Sequence, residues 1–154
     1  MRILTVRQPW AWAIIHGGKD VENRKRNIAG DYRGPIAIHA GLAWDRFWPE
    51  DGPLEDAMLD EMHRRRHRKP WPWNEHRGAI IGVVDLTDVH HAHTCPTALE
   101  DRWPVCSHWA ERGDIYHLVL ERPRALATPI PYRGMLGLRR FNETVDAQII
   151  EALA

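Results

Sequence analysis

Three ionic residues of unlike chemistry sit close together in Gly18-Lys-Asp-Val-Glu-Asn-Arg24. Read as a strand from Lys19 to Arg24, period-two alternation puts Glu22 and Arg24 on one face and Val21 on the other. Lys19, at the turn after Gly18, can swing over the same cleft. Two chemistries fit the trio. In a partly dry cleft, desolvation favours the neutral amine of Lys19 while Glu22 opposes that shift. A lysine tuned in this way serves as a general base near neutral pH, which makes Lys19, Glu22 and Arg24 candidate catalytic residues. Alternatively the trio reads a ligand: Lys19 and Arg24 hold phosphate, and Glu22 accepts a proton from a base amine such as cytosine N4. An exposed ion-pair network at a strand edge has the same sequence and contributes little. Lysine is rare here, three residues against 18 arginines. That singles out Lys19, because the ammonium differs from guanidinium chiefly in being able to lose its proton.

Other residues extend the ligand-reading possibility. Gln8 carries an amide that both donates and accepts, which suits a base edge, and the helix entered at Pro9-Trp10 offers early N–H groups to a phosphate. Arg26 continues the basic stretch after Arg24. His39 falls in an apolar strand pattern, as core or cleft wall. Asp85, on the longest strand pattern, is either a polar group facing the cleft or a satisfied structural carboxylate. The nucleic-acid-contacting set is therefore Gln8, Trp10, Lys19, Arg24, Arg26, His39 and Asp85. Eight tryptophans against two phenylalanines are an oddity of composition. Trp44, Trp48, Trp71 and Trp73 could stack unpaired bases, although tryptophan beside proline usually packs a loop onto the core. The strip Arg64–Lys69 is a phosphate-binding candidate or a solvated face, and steep salt dependence would mark the former.

His90-His-Ala-His-Thr-Cys95 and Cys106-Ser-His108 contain zinc-ligand residue types. Their spacings are not those of a zinc finger. The reading favoured is a histidine-rich loop with two buried thiols, with His117 in a strand, and neither metal nor cofactor is expected.

The elements that must position these residues follow from pattern. Ile3–Val6 reads as a strand and Trp10–Ile15 as an apolar helix stopped by Gly17-Gly18. Pro35–His39 is a buried strand. Residues 42–77 read as an insertion with an amphipathic helix starting near Pro53, on which Leu54, Met58 and Met62 recur at i+4. Gly78–Val89 is a long β-branched strand with Gly82 as a bulge. Ile115–Leu120 and Arg124–Ala127 are further strands, Pro129–Gly134 is a turn-rich loop, Met135–Phe141 closes the sheet, and Glu143–Leu153 is a terminal helix. Many strands with few helices between them argue for a small mixed barrel of the α+β class, not a βαβ sheet. At 154 residues this is one domain, residues 1–154, large enough to hold a core without disulfides. Twenty-one basic and 21 acidic residues argue against a uniformly basic nucleic-acid binder but leave room for a local basic patch. No apolar run approaches membrane-spanning length, and Arg7 and Gln8 interrupt any signal-peptide core at the N-terminus, so the expected compartment is the cytosol.

Leu4-Thr-Val-Arg-Gln-Pro-Trp-Ala followed by Gly18-Lys-Asp-Val-Glu-Asn-Arg24 resembles the signature of the ASCH domain, the activating-signal-cointegrator homology family. Tyr32-Arg-Gly-Pro-Ile-Ala-Ile-His-Ala, Gly78-Ala-Ile-Ile-Gly-Val-Val-Asp-Leu, Tyr116-His-Leu-Val-Leu and Pro129-Ile-Pro-Tyr-Arg-Gly-Met-Leu-Gly-Leu resemble its later blocks, in order. The resemblance implies a PUA-like barrel with helical additions. It also implies a role in binding RNA or other single-stranded nucleic acid in a cleft beside the first helix. Some bacterial members are amidohydrolases of N4-acetylcytidine or ribonucleases, so a modified nucleoside is an alternative partner, and a protein-interaction module a further one. In the amidohydrolase branch the motif lysine maps to Lys19. The nucleophilic threonine position is occupied here by Glu22, and the branch's further glutamate has no aligned counterpart. The closing Gly-x-Trp of many members is replaced by Leu138 and Arg139 after Gly137.

Overall fold

A computed structural model describes residues 1–46, 50–95 and 106–154; Trp48 lies outside them. Among them six strands form one sheet: β1 (Arg2–Gln8), β2 (Val21–Arg24), β3 (Gly34–Trp44), β4 (Ala79–His91), β5 (Tyr116–Pro131) and β6 (Leu138–Arg140). Their order is β2-β5-β4-β3-β1-β6. β1 runs parallel to β3, and every other pair is antiparallel. Among the described residues four α-helices accompany the sheet: α1 (Trp10–His16), α2 (Pro53–Arg64), α3 (Pro72–Glu75) and α4 (Glu143–Leu153). The class is α+β, as the pattern implies.

The sheet curls without closing by backbone pairing. β4 and β5 shift register at Ile80/Gly82, Val83/Asp85 and Leu86/Asp88, and each irregularity bends the pair and adds twist. β1 already has β3 on one edge and β6 on the other, so short β2 finds no free edge on β1. A side chain spans the seam instead: Arg24 Nη2 donates to the Thr5 carbonyl at 3.2 Å.

Alternation sorts the apolar residues onto both faces. Leu4, Ile36, Ile38, Ile81, Val84, Leu86, Leu118 and Leu120 fill the inside of the curl with Ile14 and Ile15 of α1. Ile3, Ala37, Ile80 and Val83 point outward, where Val145 and Ile149 of α4 cover them. Asn142 caps α4 by accepting from the Val145 N–H at 2.9 Å.

Four sequence expectations need adjusting. Arg124–Ala127 and Pro129–Pro131 belong to the same strand as Tyr116–Leu120. The register shifts accommodate Pro123 and Pro129, and Arg122 turns through a φ of 50° just before Pro123. β3 continues to Trp44, so the helical excursion starts later than residue 42. Most of the basic strip lies past the end of α2, where Arg66 and His67 have φ of 51° and 58°. Finally, β2 begins at Val21, leaving Lys19 and Asp20 in the turn before it. Among the described residues, no helix is long and apolar enough to cross a membrane.

Candidate functional site

The seam between β2 and β1 opens into a cleft of about 710 Å³, within the roughly 300–1,000 Å³ usual for small-molecule sites. Its walls come from Thr5–Arg7 on β1, Glu22–Arg24 on β2, His39 and Gly41 on β3, Trp10 at the start of α1, and the loop from Arg133 to Gly137.

Glu22 is the anionic centre. Its side chain is 10% exposed and lies between two cations. Arg24 Nη2 stands 3.0 Å from Oε1, and Lys19 Nζ stands 3.7 Å from Oε2. Arg24 is thus shared between Glu22 and the Thr5 carbonyl, which ties the carboxylate to the seam. Lys19 sits behind. Its side chain is 3% exposed, its ammonium donates to the Val21 carbonyl, and it lies 5.3 Å and 5.6 Å from the ring centres of Trp10 and Trp109. Burial lowers its pKa from the ordinary lysine value, and the negative charge of Glu22 is the main opposing influence.

The local sequence makes this geometry. Gly17 N–H and Lys19 N–H both bond the Ala13 carbonyl, closing α1. Gly18 between them has a φ of +74°, where a Cβ is disfavoured. That tight exit turns Lys19 inward, under the helix that carries Trp10.

Several proposed contacts lie in this cleft and others do not. Glu22, Arg24, Trp10 and His39 line it. His39, 1% exposed, donates from Nε2 to the Tyr132 carbonyl at 2.8 Å. Its Nδ1 is a buried acceptor with no partner, and Arg24 Nε is a buried donor with none. Gln8 is instead consumed by structure: Oε1 accepts from Trp12 N–H at 2.9 Å and Nε2 donates to the His76 carbonyl at 3.0 Å. It caps α1 and pins the loop before β4. Asp85 accepts from Arg122 at 2.7 Å and Arg124 at 2.6 Å, away from the cleft. Arg26 is exposed beyond β2, outside the cleft lining. Trp73 packs edge-on against Trp12 at 4.9 Å, joining α1, α2 and α3 in a separate apolar cluster with Leu54. These indoles serve as core.

Sequence reasoning missed Arg7, Asn23, Asp45 and the Arg133–Gly137 loop. Arg7 and the Arg133-Gly134 pair sit inside motifs already marked, but only the fold shows that both reach one cleft. Asp45 accepts from Trp10 Nε1 at 3.3 Å, fixing the ring at the mouth.

The curled sheet with a cleft at its seam corresponds to a recognised class. The family model for the ASCH domain matches residues 4–122. The chain belongs to the ASCH domain family, which is PUA-like and often RNA-binding. Among solved structures it is similar to ASCH from Zymomonas mobilis, with a TM-score of 0.53 and 14% identity over 99% of this chain and 95% of that one. Two single-residue mutants of the Zymomonas mobilis protein give TM-scores of 0.56 and 0.54 at 14% and 12% identity. Both comparisons cover 99% of this chain and 98% and 96% of theirs. At such identities the likeness speaks for the fold.

Proposed function

We propose that this chain is a nucleic-acid-binding module whose seam cleft holds one nucleotide of an RNA or other single-stranded strand. The observation that carries this reading is Glu22: a nearly buried carboxylate, fixed by Lys19 and Arg24, in the wall of a nucleotide-sized cleft. A carboxylate so held accepts from an exocyclic amine and repels a carbonyl in the same place. Arg7 and Arg133 at the rim supply charge for the phosphate. Trp10, oriented by Asp45, presents an aromatic surface in the lining. Lys19 is too deeply buried to reach a phosphate and acts through Glu22 as a positioning residue.

Calorimetric titration with CMP and UMP tests this, because the two differ in an amine against a carbonyl at one ring position. CMP is expected to bind more tightly, by about tenfold or more for a hydrogen bond to a charged acceptor. Glu22→Gln should collapse that ratio. Equal affinities in the unsubstituted protein refute the reading.

The buried Lys19–Glu22 contact, with a lysine pKa lowered by burial, also favours a second reading as a hydrolase of an N4-acylated cytidine. In that step Glu22 takes a proton from water as the water oxygen joins the acyl carbon. Glu22 then delivers that proton to the departing N4, while the Lys19 ammonium behind it holds the carboxylate in place. The products are the carboxylic acid and cytidine, and Glu22 is left ionised as before. Incubation with N4-acetylcytidine, followed by quantification of acetate and cytidine, tests it. Turnover abolished by Lys19→Ala supports the reading, and no turnover above background removes it.

A further inference from the structure

On the far side of β2 from the cleft, four residues from three places in the chain converge. They are His90 at the end of β4, Cys95 just after it, Cys106, and His117 on β5. Their potential ligand atoms all lie within 4.8 Å of one another. Cross-strand pairing of His90 with His117 sets the two imidazoles side by side, with ring centres 5.2 Å apart.

Each histidine has one ring nitrogen occupied and the other turned toward the cluster. His90 Nδ1 is held by the Asp88 carboxylate at 2.7 Å, and its Nε2 is buried with no partner. His117 Nε2 donates to the Glu111 carbonyl at 2.7 Å, so its Nδ1 is the acceptor nitrogen, 3.4 Å from Cys106 Sγ. A carboxylate on one imidazole and a backbone carbonyl on the other are the supports that orient metal-binding histidines and choose their tautomer. The orphaned Nε2 of His90 is otherwise a cost without a return.

We infer that His90 Nε2, Cys95 Sγ, Cys106 Sγ and His117 Nδ1 form a structural zinc site. Two thiolates and two imidazoles are a tetrahedral zinc set with all four positions filled by protein, which makes the ion structural and leaves no position for a substrate. Ligand atoms around tetrahedral zinc stand roughly 3.3–3.8 Å apart, given bonds of about 2.0–2.3 Å. The widest separation here would therefore contract by about 1 Å on binding.

The site has a consequence for the cleft. The segment after Cys106 braces β2: Ser107 Oγ donates to Asp20, and Asn23 Nδ2 donates to the Trp109 carbonyl at 2.8 Å. Glu111 N–H donates to Asn23 Oδ1 at 3.0 Å, while Trp109 covers Lys19. An ion holding Cys106 to β4 and β5 fixes this brace, and with it the back wall behind Lys19 and Glu22.

The test uses the full chain expressed with added zinc, purified with its thiols reduced, and passed over a sizing column. Metal analysis is expected to give about one zinc per chain. Protein stripped by chelator and titrated with cobalt(II) is expected to show tetrahedral ligand-field bands and thiolate charge-transfer absorption. Cys106→Ser and His90→Gln should each lose zinc. His93→Ala and His108→Ala, at exposed histidines outside the cluster, should keep it. If Cys106→Ser fails to fold, the cobalt spectrum of the unsubstituted chain decides. Far less than one zinc per chain together with no charge-transfer band overturns the assignment. So does zinc retained by both ligand variants, or a Cys95–Cys106 disulfide in protein never exposed to oxidant.

Discussion

Replacing Lys19 with methionine tests whether a buried cation holds Glu22 in place. Methionine keeps the length and apolar bulk that pack beneath Trp10 and Trp109, and removes only the charge and the donor. At 3.7 Å and an effective dielectric constant of about 20, the Lys19–Glu22 attraction is on the order of 4 kcal/mol before desolvation is subtracted. Deleting one partner of a buried pair costs about 3–5 kcal/mol because the other charge remains buried. Arg24, 3.0 Å from Glu22, still compensates the carboxylate, so the low end applies, about 3 kcal/mol. For a domain of this size that lowers Tm by about 6–12 °C. Glu22→Gln alone leaves the Lys19 ammonium without its nearest counter-ion and should cost about 3–5 kcal/mol by the same reasoning. The double variant removes both charges, so its cost should fall short of the sum by about 1–2 kcal/mol. Urea unfolding followed by tryptophan fluorescence at pH 7 measures all four corners of the cycle. A Lys19→Met variant within about 0.5 kcal/mol of the parent, or two costs that simply add, would refute the idea that the lysine fixes the carboxylate.

Three further outcomes are expected. Gly134→Ala would place a Cβ 2.8 Å from His39 Cε1 and 3.1 Å from Thr5 Oγ1. The loop should shift outward at a cost of about 1–3 kcal/mol, with weakened nucleotide affinity; unchanged affinity and Tm would show that the loop does not bound the cleft. Burial lowers the pKa of His39 from 6.5, opposed by its bond to Tyr132. As pH falls through that ordinary value the unfolded chain takes up the proton first, so stability is lost toward acid; His39→Gln should lose less between pH 7.5 and pH 5, and an equal loss in denaturant titrations counts against the reasoning. If Arg7 and Arg133 each neutralise one phosphate, the logarithmic salt dependence of single-strand binding should have a slope of about −1.4. Arg7→Ala and Arg133→Ala should each reduce its magnitude by about 0.7, and a slope near zero would place the phosphates elsewhere.

Much of the architecture is local and therefore readable from order and pattern. The β-branched run Gly78–Val89, the Gly17-Gly18 stop and the i+4 repeat of Leu54, Met58 and Met62 each depend on neighbours within a few residues. The same holds for the closeness of Lys19, Glu22 and Arg24. What local pattern does not carry is which side of each polar residue is already occupied. Gln8 and Asp85 have the right chemistry for a ligand, yet both are satisfied by groups distant in sequence, His76 in one case and Arg122 and Arg124 in the other. Tertiary structure also decided the depth of Lys19, because only the packing of Trp10 and Trp109 around it excludes water and turns a supposed phosphate contact into a support for Glu22. The His/Cys cluster makes the same point most plainly. Its spacing looks unlike a metal motif along the chain, but cross-strand register brings His90 beside His117, and convergence in space, not spacing in sequence, is what a cation would sense.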